Sequence, residues 1–141
     1  MIASILENVN VKRLFLTVLA VFAFVFVSDF VIHHILLGPT YRDTSSLWRS
    51  EGEMKGYMIW MLIGQFLTAA FFSVIFAKGY EGKGLGEGVR YGLLIGPFAI
   101  APHFIQYAVT PLPQFLLWSW IAGTMVQAIL GGVIAAAVYR R

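Results

Sequence analysis

Four apolar runs of roughly 18–25 residues fill most of this chain, and they limit its fold more than any other feature, because about 20 apolar residues cross a bilayer as a helix. Of the 141 residues, 59% are hydrophobic and 12% are charged, whereas a soluble domain carries roughly 25% charged residues. We therefore predict an all-α polytopic membrane protein, a four-helix transmembrane bundle in a single domain over residues 1–141. The predicted spans cover residues 14–37, 56–77, 91–109 and 115–139.

The first run also has one property of a secretory signal, because Lys12 and Arg13 precede it. A signal peptide has an apolar region of roughly 7–15 residues, however, and this run is longer. We expect it to remain as the first spanning helix, with residues 1–11 lying along the membrane surface.

The distribution of Lys and Arg predicts the orientation of the four spans, since positive residues collect on the cytoplasmic side. With the N-terminus inside, three of the ten basic residues face outward: Arg42, Arg49 and Lys55. The other seven face the cytoplasm: Lys12, Arg13, Lys78, Lys83, Arg90, Arg140 and Arg141. The pattern predicts that both termini are cytoplasmic.

Composition also excludes several classes of site. The chain has no cysteine, so it has no disulfide and no thiolate ligand or nucleophile. Its net charge of +3 comes from residues at helix ends and not from a basic stripe, so we expect no nucleic-acid partner. Hydrolase motifs are absent. We predict no catalytic residues, and a protein that is not an enzyme.

Ionisable side chains inside apolar helices are costly and commonly functional, which makes Asp29 and His33 the leading candidates. They lie four residues apart, on one face of a helix and within reach of each other, while His34 points elsewhere. His103 would be the third member if the third helix packs against this face. With the intramembrane amides of Gln65 and Gln127, these residues form the predicted pocket for a proton or small ligand.

Several interpretations of this cluster stay open. In the simplest, Asp29 is protonated or bonded to His33, and the histidine rings lie near the outer headgroups. Two imidazoles and a carboxylate also suit several divalent metals, which makes Asp29, His33 and His103 a candidate metal site. Histidines on facing helices can ligate haem. No cofactor is favoured over the others.

An internal repeat is indicated when the fourth helix is aligned on the second with an offset of 62 residues. The alignment pairs Gln65 with Gln127, and it places small residues on one ridge of each helix. Small residues let helices approach closely in lipid, so we expect helix packing at these positions: Ala69, Ser73, Gly131 and Ala135. The pattern favours two repeated helical hairpins.

Glycines and prolines predict where helices end or break. We expect Gly38-Pro39 to stop the first helix, and Gly96-Pro97 and Pro102 to interrupt the third. The glycine-rich segment 78–90 lacks the pattern of a phosphate-binding loop and is expected to be a flexible connection.

Several short segments resemble a bacterial family of small four-helix inner-membrane proteins, known only as a domain of unknown function. They are LLGPTY at the end of the first helix, Leu47-Trp48-Arg49, GVRYGLLIG and the glycine-rich fourth helix. The resemblance implies a four-helix membrane fold in a bacterial inner membrane. It implies no activity and carries no functional residues.

Three functions follow as hypotheses. The first is a polar pocket in the outer half of the membrane that binds or passes a proton, a metal ion or a small ligand. The second is an accessory or scaffolding subunit, and the third is a haem-bearing redox subunit. The expected partners are the lipid bilayer and either further copies of the chain or a larger membrane complex.

Overall fold

The computed structural model describes residues 6–140, and within that range the chain is helical with no β-strand. Four long helices and one short helix follow one another, joined by short connections. They are α1 (Val11–Asp29), which continues as a π-helical segment (Phe30–Leu36), α2 (Gly38–Asp43), α3 (Glu51–Lys78), α4 (Leu85–Val109) and α5 (Gln114–Val138). The four long helices are long and apolar enough to cross a membrane, as the sequence predicts.

The first helix begins where Asn10 caps it, because the Asn10 side chain accepts a hydrogen bond from the backbone N–H of Arg13. From Phe30 the helix widens into π-helical turns, and Leu37 N–H donates to the carbonyl of Ile32, five residues earlier. Pro39 has no N–H for the carbonyl one turn before it, which loosens the helix at this point. Turns of this kind are rare and often lie at functional sites.

The first helix ends at Gly38-Pro39, as predicted: its π-helical segment stops at Leu36, and a new helix, α2, begins at Gly38. The proline lies in the first turn of α2, where a missing N–H costs nothing. Helix α2 and the following 3₁₀ turn (Ser45–Leu47) fold back over the end of the bundle. There Leu37, Leu112 and Leu116 form a small buried cluster with Tyr41 and Trp48 packed against it.

Helix α3 begins five residues before the predicted start at residue 56. Ser50 caps it through a reciprocal pair of bonds with Glu53, in which the backbone N–H of each residue donates to the side chain of the other. Every residue from 51 to 61 is exposed, so the first three turns of α3 contribute no buried side chain to the bundle.

The predicted connection over residues 78–90 was right in part, and the predicted breaks in the third helix were wrong. Residues 79–84 join α3 to α4, whereas residues 85–90 already belong to α4. Helix α4 begins at Leu85 and continues through Pro97 and Pro102 to Val109. Its early glycines are helical because they pack against α5: a Cβ at Gly88 would overlap the carbonyl of Gly132, and one at Gly92 would overlap Ala128. This close approach is the small-residue packing typical of membrane helices.

Across the bundle the helices are ordered α3, α1, α5, α4, with the most extensive contact between α4 and α5. One end, here called the basic end, holds the connection between α3 and α4 and six described cations, Lys12, Arg13, Lys78, Lys83, Arg90 and Arg140. The opposite end, the pocket end, holds α2 and the turn between α4 and α5. Arg141 and residues 1–5 of the expected surface segment lie outside the described residues.

Aromatic rings close the basic end. Tyr91 donates its hydroxyl hydrogen to the carbonyl of Phe72 at 2.6 Å, which joins α4 to α3. Phe76 and Tyr80 pack edge-on against the fully buried Tyr139. The buried carboxylate of Glu87 accepts hydrogen bonds from the backbone N–H groups of Glu81 and Lys83, and so fixes the short connection before α4.

Candidate functional site

Asp29, at the junction between α1 and its π-helical segment, is bonded to two other helices. One carboxylate oxygen accepts a 2.7 Å hydrogen bond from the amide nitrogen of Gln65 on α3. The other accepts a 2.7 Å bond from the amide nitrogen of Gln127 on α5. The same Gln127 nitrogen donates to the hydroxyl of Ser28 at 2.8 Å. We call this group, Asp29 with Gln65, Gln127 and Ser28, the Asp29 clamp.

The clamp explains how a carboxylate is accommodated within an apolar helix. Hydrogen bonds to a charged group are stronger than neutral ones, and each oxygen of Asp29 has one. Because the donors come from α3 and α5, one side chain of α1 holds both of its neighbours. Asp29 does not bond His33, although the spacing of four residues led us to expect that pairing.

His33 is bonded instead to Tyr41 of α2, with 2.7 Å between its Nδ1 and the tyrosine hydroxyl oxygen. That oxygen also accepts a 2.7 Å bond from the indole N–H of Trp120 on α5. The indole can only donate, so the tyrosine oxygen accepts from Trp120; it then either donates its own hydrogen to Nδ1 of His33 or accepts one from it, according to the His33 tautomer. In both cases Nδ1 of His33 is engaged and Nε2 has no partner among the described residues.

The environment of Tyr41 favours the protonated form of its hydroxyl. Burial raises the pKa of the Tyr41 hydroxyl above its ordinary value, outweighing the opposite effect of the Trp120 hydrogen bond. The negative charge of Asp29 adds to the rise in this pKa. Tyr41 also packs edge-on against Trp48, and Trp48 in turn packs against Trp120.

His103 reaches the same region from α4. Its Nε2 lies 2.8 Å from the hydroxyl oxygen of Thr124 on α5, and its ring packs against Trp120 with 5.7 Å between ring centroids. The two proline positions have not diverted α4 from α5, so His103 and Thr124 face each other as neighbours on packed helices.

His33 and His103 line one cavity of about 250 Å³ between α1, α4 and α5, which we call the polar cavity. Its other described lining residues are Ile32, Trp120, Gly123, Thr124 and Gln127. None of these described residues is a lysine, an arginine or a carboxylate. Asp29 lies behind Gln127 in the clamp, so the cavity presents amide, hydroxyl, indole and imidazole groups and no fixed charge.

His34 and the four residues predicted to pack helices together lie outside the polar cavity. His34 stacks on Phe30, with 4.9 Å between ring centroids, and does not line the polar cavity. The four predicted packing residues are all buried: Ala69, Ser73, Gly131 and Ala135. The hydroxyl oxygen of Ser73 has no hydrogen-bond partner among the described residues.

The candidate metal ligands are divided between two places: Asp29 lies in the clamp, whereas His33 and His103, which are also the candidate haem ligands, line the polar cavity. Residues 6–140 contain no group of three or more His, Asp or Glu side chains arranged to hold a metal ion. His33 and His103 each keep one ring nitrogen without a partner among the described residues. The polar cavity is smaller than the roughly 300–1,000 Å³ of a drug-sized site, so a porphyrin does not fit it as it stands.

Sequence reasoning did not identify Tyr41, Trp120, Thr124 and Ser28 as site residues. Thr124 could have been found, because it lies three residues before Gln127 and therefore on the same face of α5. Tyr41 could not, because its position over His33 depends on the π-helical segment and on the return of α2.

Comparison with known proteins gives no relative on which to base a function. No protein-family model, no curated protein sequence and no solved structure matches the chain. The resemblance to a bacterial family of uncharacterised membrane proteins therefore stays a prediction.

Proposed function

We propose that this chain is an integral membrane protein that binds a small, uncharged polar ligand in the polar cavity. The observation that carries the proposal is the convergence of His33, His103 and Gln127 from three helices on one uncharged cavity. Binding sites are mostly concave and carry a few polar groups that orient the ligand, and the polar cavity has this composition.

The exposed surface supports insertion into a bilayer. Large apolar side chains face outward on the long helices, including Leu94 (74% exposed) and Phe98 (81% exposed) on α4. In water such a surface would be an aggregation hazard, whereas lipid covers it at no cost. We further propose a bacterial inner membrane, with the basic end in the cytoplasm and the polar cavity in the outer half.

The arrangement favours a small ligand over a proton path or a bound metal. Both oxygens of Asp29 are occupied by amide donors, and no hydrogen bond joins the clamp to either histidine among the described residues. A ligand without net charge suits a cavity without fixed charge, because an unpaired charge would lose its hydration there.

The first three turns of α3 favour a second candidate, an accessory subunit of a larger membrane complex. Every residue from 51 to 61 is exposed, including the aromatic rings of Tyr57 and Trp60. The guanidinium of Arg49 lies over the Tyr57 ring at 3.8 Å. Co-purification of stoichiometric partner chains, lost on Trp60→Ala, would support this second function.

Thermal unfolding in detergent micelles tests the ligand-binding proposal, with benzamide and phenol as uncharged ring probes. Either probe is expected to raise the unfolding temperature of the native protein in a saturable way, because a ligand that binds only the folded state stabilises it. His103→Phe should abolish the rise. His34→Phe should preserve it, since His34 lies outside the cavity. Equal responses of the two variants, or no response of the native protein, would overturn the proposal.

A further inference from the structure

A second cavity lies beside the polar cavity and differs from it in chemistry. It is a groove of about 430 Å³ between the π-helical segment and α5, which we call the apolar groove. Apart from Ser119, its described lining residues are apolar, among them Leu36, Phe115, Ala122 and Val126. Leu36 and Phe115 are also among the most exposed apolar side chains of the chain, at 64% and 62%. The groove therefore opens onto the surface that faces lipid.

The two cavities meet at Ile32 and Gly123, which line both. A Cβ at Gly123 would lie 3.2 Å from the end of the Ile32 side chain, so a larger residue at position 123 would press on Ile32. The two cavities therefore adjoin where the Ile32 side chain lies against Gly123.

The polar cavity offers hydrogen bonds suited to a ring with oxygen substituents. His33 presents Nε2, which donates or accepts according to the tautomer and has no partner among the described residues, because Nδ1 is bonded to Tyr41. The amide oxygen of Gln127 is an acceptor with no partner among the described residues, since its nitrogen serves Ser28 and Asp29. His103 approaches from the opposite helix, and Trp120 adds an aromatic face between them.

From this continuity we propose that the ligand is an amphiphile of the quinone class, a flat ring with carbonyl or hydroxyl oxygens and a long apolar chain. The ring lies in the polar cavity between His33 and His103, and the chain lies in the apolar groove. This inference rests on the proposed function, and it adds the ligand class and the route of access from the lipid. A phosphate headgroup is disfavoured, because the described lining of both cavities contains no lysine or arginine.

The inference is tested by measuring affinity in nanodiscs for three probes: a dimethoxy-methyl-benzoquinone with a decyl chain, the same quinone ring without the chain, and decanol. With probe concentrations expressed per lipid, so that partitioning into the bilayer does not contribute, the chain should increase the affinity of the ring for the native protein by about tenfold through its contacts in the groove. Ala122→Phe fills the apolar groove and should remove most of this gain. The control Ala137→Phe adds the same ring to an exposed position of α5 outside both cavities and should keep it.

Because all variants share the same lipid, partitioning of the chain into the bilayer is equal for each of them. Unchanged affinity of Ala122→Phe for the ring alone shows that the variant is folded. If the ring binds and the chain raises the affinity of the native protein no more than that of Ala122→Phe, the ligand class is overturned while the proposed function stands. If decanol binds as tightly as the tailed quinone, the inference is overturned, because the ring is then irrelevant. If none of the three binds, the inference fails, and benzamide and phenol decide the proposed function separately.

Discussion

The two ends of this bundle are built from different contacts. At the basic end, α4 and α5 touch backbone to backbone through Gly88, Gly92 and Gly132, and buried rings such as Tyr139 fill the remaining space. At the pocket end, two cavities lie between the helices and every residue in the first three turns of α3 is exposed. The Asp29 clamp lies between the ends and joins α1 to α3 and α5.

The difference indicates how a small membrane protein can be stable and still contain empty space. Packing of small residues and interhelical hydrogen bonds drive helix association in lipid, because the apolar surfaces gain nothing from avoiding water there. The packing of small residues is concentrated at the basic end, and the clamp supplies interhelical hydrogen bonds. Regions that bind ligands are drawn from the less stable part of a fold, and the pocket end fits that description.

The largest expected effect comes from breaking the basic end with Gly92→Leu. The new side chain would meet the backbone of α5 at Ala128 and Ile129, so the helices must separate. We expect the free energy of unfolding in micelles to fall by about 3 kcal/mol, at the upper part of the range for overpacking. Gly64→Leu is the matched control, because nothing lies within 4 Å of a Cβ at Gly64. Equal losses in both variants would contradict the account.

Removing the clamp should have an intermediate effect that is localised to the pocket end. Asp29→Ala leaves the amides of Gln65 and Gln127 without their acceptor, and we expect the free energy of unfolding to fall by about 2 kcal/mol. Trypsin should then cut faster at Arg42 and Arg49, as mapped by mass spectrometry, while cleavage at Lys83 changes little.

Asp29→Asn separates the effect of hydrogen bonding from that of charge. The amide of Gln65 can turn round and accept from the new Asn, so this variant should keep much of the stability that Asp29→Ala loses. If trypsin instead cuts Asp29→Ala faster at Lys83 and at Arg49 to the same degree, the clamp supports the whole bundle and not one end.

The smallest expected effect is a gain in stability, obtained by removing an unpaired hydroxyl near the basic end. The Ser73 hydroxyl is fully buried and lacks a hydrogen-bond partner among the described residues. Ser73→Ala should raise the free energy of unfolding by about 1 kcal/mol, because an unsatisfied buried polar group is costly. Thr17→Val is the comparison, since the equally buried Thr17 hydroxyl donates to the carbonyl of Arg13 at 2.8 Å and its removal should stabilise nothing. Destabilisation by Ser73→Ala would show that the hydroxyl does have a partner.

The helical class and the four long apolar helices could be predicted from the sequence, because the length of an apolar run directly reflects the thickness of a bilayer. Helix boundaries at glycine and proline were predicted only in part, since Gly38-Pro39 ends the first helix but α4 begins before the predicted residue 91. Gly88 was assigned to a flexible connection, yet it is helical, and a Cβ there would overlap the carbonyl of Gly132 on α5. Pro97 and Pro102 lie inside a continuous helix, since the missing hydrogen bonds of two prolines do not outweigh the packing of α4 on α5.

For the site, the sequence identified ionisable and amide side chains but paired them differently from the structure. Asp29 and His33 were expected to bond because they are four residues apart, whereas each finds a partner distant in the chain. Local spacing cannot show that two glutamines from other helices, Gln65 and Gln127, converge on one carboxylate. It also cannot show that a tyrosine beyond the helix end folds back to hold an imidazole.

The π-helical segment lets the first helix hold one residue more than an ordinary α-helix of the same total rotation. Its turns are closed by hydrogen bonds to the fifth residue back, as from Leu37 to Ile32, so each turn holds about one residue more than an α-helical turn. Deleting one residue from this segment would let α1 continue as an ordinary helix, while the residues after it keep nearly their present orientation about the helix axis. A deletion within α1 has no such compensation and would rotate everything after it by about 100°, which would carry Tyr41 away from Trp120. The π-helical segment is therefore the place in the first helix where the length of the chain can change with the least effect on the polar cavity.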